Sequence, residues 1–171
     1  EFRRVLFRSV ASSFHGASRS TVDVDIVADM TDSAVSEFLK CFDRDFYVSE
    51  AAIREAVRRK SCFHLIHLPT SFKVDVFVSR QRPFDISAMN RATVEHLGDS
   101  HSLAIHVATA EDAIISKLEW YRKTNETSER QWDDVIRLLK LLGEAADVQY
   151  LKKSAVSVSV EDLLERLMSE A

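Results

Sequence analysis

The stretch Ser20-Thr21-Val22-Asp23-Val24-Asp25-Ile26-Val27 decides the reading of the chain. From Val22 to Ile26 it alternates, and alternation is the period of a strand. Asp23 and Asp25 therefore share one face, and Val22, Val24 and Ile26 the other. Two carboxylates side by side on one strand face repel each other, and burying both without compensation is costly. A divalent cation is the usual compensation, because hard carboxylate oxygens suit Mg²⁺. A second alternating run, Phe72-Lys73-Val74-Asp75-Val76-Phe77-Val78, carries one more acid. Paired beside the first run, it completes a cluster of Asp23, Asp25 and Asp75, which are the candidate metal ligands. The alternative for Asp23 and Asp25 alone is a solvated face of an edge strand.

The chain has 171 residues, enough for one domain with a real core or a core plus a helical annex. Its formal net charge of -4 argues against broad non-specific binding of nucleic acid, though a local basic patch is compatible with it. Cys41 and Cys62 lack metal-site spacing and sit in apolar surroundings, so they read as buried free thiols rather than a disulfide. No apolar run reaches membrane-spanning length, so no membrane association is expected, and a reducing cytoplasm is the default location. Residues 1–8 mix arginine with large apolar side chains and lack a signal-peptide pattern. They read as a non-native or truncated leader. The apolar residues there, with the start of a sheet expected to be missing, predict self-association, most simply as a homodimer.

Further along, residues 9 to 16 read as a small-residue helix closed by Gly16, followed by a loop carrying Arg19. Residues 32 to 42 form a helix with Val35, Phe38, Leu39 and Phe42 inward. Phe46-Tyr47-Val48 is a short strand. Ser49 caps a helix that ends on Arg58-Arg59-Lys60, as the helix dipole favours. Residues 62 to 68 form a strand, and Pro69-Thr70-Ser71 turns it into the strand carrying Asp75, giving a hairpin. His64 and His67 are of opposite parity, so no zinc site is expected from them. Arg80 to Phe84 reads as a polar exit loop, and Ser87 to Glu95 as a short helix or irregular segment with Arg91 exposed. Leu103 to Val107 is another strand. Thr109 caps a clear helix in which Lys117 shares the apolar face with Ile114, Leu118 and Tyr121. Ser128 caps a last major helix, ended by Gly143, with Trp132, Val135, Ile136, Leu139 and Leu142 inward. Asp134 on that helix approaches Lys117 if the two pack antiparallel.

In this order the elements resemble the nucleotidyltransferase superfamily, and more closely the small bacterial abortive-infection nucleotidyltransferase-like toxins of AbiEii type. That pattern opens with Gly-Gly or Gly-Ser at a helix start. A small-residue helix, an Arg-x-Thr loop and an Asp-hydrophobic-Asp strand follow. Here these fall on Ser9, the run to Gly16, Arg19-Ser20-Thr21 and Asp23-Val24-Asp25. The third acid falls on Asp75, the Glu-Asp-x-x-x-x-Lys-Leu helix on Glu111 to Leu118, and the Arg-x-x-x-Asp helix on Arg130 to Asp134. The resemblance spans roughly residues 9 to 142. It departs at Arg8, where the pattern has glycine and the backbone approaches a triphosphate.

The resemblance implies an α/β (α+β) fold in which a mixed sheet is flanked by helices. Residues 9–108 would form the core, and residues 109–171 a helical part packed on it. It implies Mg²⁺-dependent transfer of a nucleoside monophosphate from a nucleoside triphosphate to a hydroxyl. Asp23, Asp25 and Asp75 would hold metal, while Ser9, Arg19 and Thr21 would contact phosphate. Lys117 would add positive charge, oriented by Asp134. The acceptor stays open between a transfer RNA end, a protein and a small molecule. A toxin of this kind would also meet an antitoxin partner. Two alternatives stand beside this reading: a small-molecule transferase of the aminoglycoside-modifying kind, and a catalytically idle nucleotidyltransferase-like binding protein.

Overall fold

The computed structural model describes residues 3–7, 23–97 and 103–171. Among them, seven strands form one mixed sheet: β1 (Arg3–Phe7), β2 (Asp23–Asp29), β3 (Phe46–Tyr47), β4 (Cys62–His67), β5 (Phe72–Val78), β6 (Thr93–Leu97) and β7 (Leu103–Val107). Their order is β3-β4-β5-β2-β1-β7-β6. The acidic strand β2 is thus central and not an edge, which removes the solvated-edge alternative. It pairs parallel with β5, as the matched alternation predicts, and antiparallel with β1. The predicted hairpin of β4 and β5 is present. Arg3–Phe7, which falls within the 1–8 leader of the sequence reading, is a strand in the middle of this sheet.

Helices α1 (Val35–Leu39) and α2 (Glu50–Arg59) cover one face. Strand parity sends Ala28, Phe63, Leu65, Val76 and Val78 into that layer, where they are buried with Met30, Val35, Ile53 and Ala56. The opposite face meets α3 (Pro83–Arg91), α4 (Ala110–Lys123), α5 (Glu129–Leu142), α6 (Val148–Val158) and α7 (Glu161–Glu170). There Val27 packs against a second core built on Ile114, Leu118, Trp132, Val135 and Leu151. Phe77 meets Trp120 edge-on at 5.9 Å between ring centroids.

The capping residues explain most helix starts. Ser49, Thr109 and Ser128 each accept a backbone N–H from three residues on. Gly143 follows α5 with φ +51°, a conformation that suits glycine.

Two segments differ from expectation. The exit loop at residues 80–84 contains the start of α3, because Pro83 occupies the first turn, where its missing N–H costs nothing. Asp85 accepts the Arg82 N–H at 3.1 Å and closes the cap. As α3 ends at Arg91, residues 93–97 are free to form β6, paired antiparallel with β7. Arg91 itself is not an exposed helix residue. It is half-buried, 3.5 Å from Glu111 and 3.4 Å from Asp112, with its guanidinium 3.8 Å over the Tyr150 ring.

Asp112 is fully buried and accepts from the Tyr150 hydroxyl at 2.5 Å and the Thr109 hydroxyl at 2.8 Å. Burial pushes its carboxyl above the usual range, against the opposing pull of those hydrogen bonds and Arg91. Glu111 and Asp112 therefore fasten α4 to α3 and α6.

A second clasp joins α3 to α4. The Arg82 guanidinium donates to Asp85 and, in a two-pronged contact at 2.8 and 3.0 Å, to Glu119. Lys123 donates to the same carboxylate at 2.6 Å. Burial alone would raise the Glu119 carboxyl. The hydrogen bonds from Arg82 and Lys123 outweigh it and bring the pKa from 4.5 down to about 2. A carboxyl lowered in the folded state stabilises the fold above its unfolded pKa, and that stability disappears as pH falls. Thermal unfolding between pH 7 and pH 2 should therefore show a loss of stability spread over the interval from 4.5 to about 2. Glu119→Gln should remove that component and cost about 1–3 kcal/mol at pH 7, between an exposed and a buried ion pair.

Candidate functional site

Parallel pairing of β2 with β5 sets Asp25 directly across from Asp75, and Asp23 across from Lys73. Antiparallel pairing of β5 with β4 sets Asp75 directly across from His64. One row across three adjacent strands therefore reads Asp25, Asp75, His64. The next row along the same face reads Val27, Phe77, Cys62. Neighbouring strands lie about 4.8 Å apart, so side chains in one row are within contact of each other. Asp25 is buried, at 9% exposure, on the central strand.

Asp75 is held on both oxygens. The His64 Nδ1 lies 2.5 Å from Oδ1, and the Lys73 ammonium lies 2.9 Å from Oδ2. The Asp75 side chain is 13% exposed, whereas His64 is 57% and Lys73 42%. The carboxylate is fixed from below by two groups that themselves reach solvent. The sequence points to a divalent cation as the usual compensation; at Asp75 the structure places Lys73 and His64 against the carboxylate.

Beside this row, over the neighbouring row of Val27, Phe77 and Cys62, a cavity of about 300 Å³ opens between the sheet and α4, and Asp25, Asp75 and His64 are not part of its wall. Val27, Phe77, Ser116 and Trp120 form part of its wall, with Arg80 and Lys123 among its charged residues. Its volume is at the small end of the range for small-molecule sites.

Lys117 and Asp134 come together as expected, 3.2 Å apart across α4 and α5. Lys117 is 6% exposed and does not snorkel to solvent. Ser9, Arg19 and Thr21 lie outside the described residues, as does Arg8. For Asp23, the backbone register with Lys73 is what the structure describes.

Three residues at the site escaped the sequence reading. Parity argues against a zinc site between His64 and His67, yet His64 has Asp75 on the next strand as its partner. The signal was available in the hairpin, whose turn pairs His67 with Phe72 and thereby fixes His64 opposite Asp75. Lys73 was hidden inside the alternation of its own strand. Cys62, expected to be buried, is half-buried and shares the face of His64, while Cys41 is exposed; neither forms a disulfide. One ligand atom each from Cys62, His64 and Asp75 lie within 4.8 Å of one another.

In comparisons with known proteins, no protein-family model matches the chain, and no curated protein matches it in sequence. Among solved structures it is similar to an antigenic nucleotidyltransferase-like protein from Paracoccidioides brasiliensis. The TM-score is 0.51 at 17% identity, covering 98% of this chain and 84% of that one. A likeness at this identity establishes the fold: a mixed sheet flanked by helices, with further helices at the C-terminal end. It is the fold that the sequence motifs led us to expect. No helix among the described residues is long and apolar enough to cross a membrane.

The pair of buried Lys117 and half-buried Asp134 generates a direct test. Asp134→Ala leaves the Lys117 ammonium without that partner and should destabilise by about 2–4 kcal/mol. Replacing both groups, as Lys117→Met with Asp134→Leu, should cost less than the sum of the single changes. A double-mutant cycle by urea unfolding should return a coupling of about 1–3 kcal/mol.

Proposed function

We propose that the chain is a Mg²⁺-dependent nucleotidyltransferase, moving a nucleoside monophosphate from a nucleoside triphosphate to a hydroxyl acceptor. One observation carries this reading: Asp25 and Asp75 stand in register on two parallel strands at the centre of the sheet. The likeness in fold to a nucleotidyltransferase-like protein supports it.

The donor set fits the ion. Two carboxylates in one row, one of them buried, offer the hard oxygens that Mg²⁺ takes, and Asp25 and Asp75 would hold it. Asp23, two residues before Asp25 on the same strand, is the third oxygen donor of the proposal. When bound, Mg²⁺ would neutralise triphosphate charge, favour loss of the acceptor proton and stabilise the in-line transition state.

The protein's own groups supply orientation. His64 and Lys73 hold the Asp75 carboxylate in place. Lys117, restrained by Asp134, adds positive charge toward phosphate oxygens. Ser9, Arg19 and Thr21 take the phosphate contacts that the resemblance assigns to them. In the reaction the acceptor oxygen bonds to the α-phosphorus, the bond from that phosphorus to the bridging oxygen breaks, and pyrophosphate leaves.

The acceptor belongs to the same proposal: a transfer RNA end, a protein hydroxyl or a small molecule. So do the toxin role, the antitoxin partner and the homodimer. A second reading, a nucleotidyltransferase-like binding protein without turnover, is favoured by one observation. Both oxygens of Asp75 already have partners in His64 and Lys73.

Asp25→Asn distinguishes them. It removes a charge at nearly constant volume from a crowded carboxylate row. Metal-free thermal stability should stay level or rise slightly, because repulsion with Asp75 is relieved. Mg²⁺-dependent release of pyrophosphate should fall by about 10²–10³-fold or more. If the wild type neither binds nucleotide with Mg²⁺ nor releases pyrophosphate, the binding-protein reading replaces this one.

A further inference from the structure

Asp75 has Asp25 on one flank and His64 on the other, and beyond His64 the chemistry of the face changes. On the β2 side the donors are carboxylate oxygens. On the β4 side they are an imidazole and a thiol. Cys62 and His64 are two residues apart on one strand and so share a face. Asp75 is the cross-strand partner of His64. Their ligand atoms already lie within 4.8 Å of one another. A tetrahedral site with Zn–S bonds of about 2.3 Å and Zn–N bonds of about 2.0–2.1 Å needs donors roughly 3–4 Å apart. Side-chain rotation supplies that difference without moving either strand.

We infer that Cys62, His64 and Asp75 form a second metal site, selective for a zinc-class ion, that shares Asp75 with the proposed magnesium site. The selectivity follows from the donors. Thiolate and imidazole suit Zn²⁺, whereas Mg²⁺ takes oxygen ligands and holds its waters. Three protein donors leave a fourth position for solvent, which the exposure of His64 makes reachable.

Three contacts change when the ion binds: those of His64 and Lys73 to Asp75, and that of the Cys62 thiol to the Phe63 carbonyl. The His64 ring gives up its hydrogen bond to Asp75 and binds as the neutral imidazole. The Cys62 S–H bond breaks, its proton passes to solvent, and the sulfur bonds to the metal. Among the described residues, Lys73 places its ammonium 2.9 Å from Asp75. It is partly exposed, and the incoming ion takes over its role at the carboxylate. The functional consequence rests on the proposed transferase: a zinc-class ion occupying Asp75 withdraws one carboxylate from the magnesium site and inhibits.

Co²⁺ is the probe, because thiolate ligation to it gives a charge-transfer absorption and tetrahedral ligation gives intense visible bands. The full chain is used in a Cys41→Ser background, which leaves Cys62 as its sole thiol. One equivalent of Co²⁺ should produce both signals. Zn²⁺ should abolish them at stoichiometric concentration, and a large excess of Mg²⁺ should not. Adding Cys62→Ser should remove the charge-transfer band, and His64→Ala should weaken Co²⁺ binding at least tenfold, each with an unchanged circular dichroism spectrum. Absence of the thiolate band in the Cys41→Ser protein, or its persistence after Cys62→Ser, overturns the site. The same protein is then titrated with nucleotide and Mg²⁺. Loss of Mg²⁺-dependent nucleotide binding when Zn²⁺ is added supports the sharing of Asp75. Undiminished nucleotide binding in saturating Zn²⁺ overturns that sharing. A thiolate band with no Mg²⁺-dependent nucleotide binding at all overturns the transferase reading and leaves the zinc-class site standing.

Discussion

The rest of the site depends on one constraint, the parallel register of β2 with β5. Like charges placed opposite each other on neighbouring strands are destabilising. This sheet nevertheless puts Asp25 beside Asp75 on its central strands. The apolar half of each strand supports that arrangement. Ala28, Val76 and Val78 on the reverse face are buried under α1 and α2, so a shift by one residue would turn them out and the acids inward. Hydrophobic burial on one face thus fixes the position of carboxylates on the other. Lys73 and His64 then supply the local compensation at Asp75.

Much of this was legible because strand alternation and helix caps are local signals. Val22 to Ile26 and Phe72 to Val78 announce their faces, and Ser49, Thr109 and Ser128 announce helix starts. The pairing of the two acidic strands was also within reach, since both show the same pattern. What escaped was information held between elements. Within its own strand His64 has only His67 to be compared with, whereas its chemistry comes from a residue across the hairpin. Arg91 looked like a solvent residue because nothing near it in sequence shows Glu111, Asp112 or Tyr150 closing around it. The sequence places Pro83 in a polar exit loop, whereas in a first turn it starts a helix.

The motif on Glu111 and Asp112 shows why a pattern and a role are separate matters. Both acids are buried, and both are occupied in tying α4 to its neighbours. Their place in the pattern is accounted for by architecture. Lys117, one helical turn and more further on, is different: a buried ammonium is expensive to keep unless it is paired, and Asp134 provides the pair. An apolar residue of similar volume would satisfy the core equally well. A charge retained at such a position is a reason to look for an anion nearby.

The crossover between β2 and β5 also bears on the order in which the chain acquires its structure. The hairpin of β4 and β5 is a local contact, closed by a short turn. The pairing of β2 with β5 must wait for α1, β3, α2 and β4 to be laid down between them. Contacts so distant in sequence carry a high loop-closure entropy and form slowly. During synthesis the His64–Asp75 half of the row can assemble as soon as the hairpin emerges, while Asp25 joins only when the whole crossover has collapsed onto the sheet. The imidazole–carboxylate pair thus closes a short length of chain and the carboxylate–carboxylate pair a long one, so the two halves of one row differ in the entropy each must overcome.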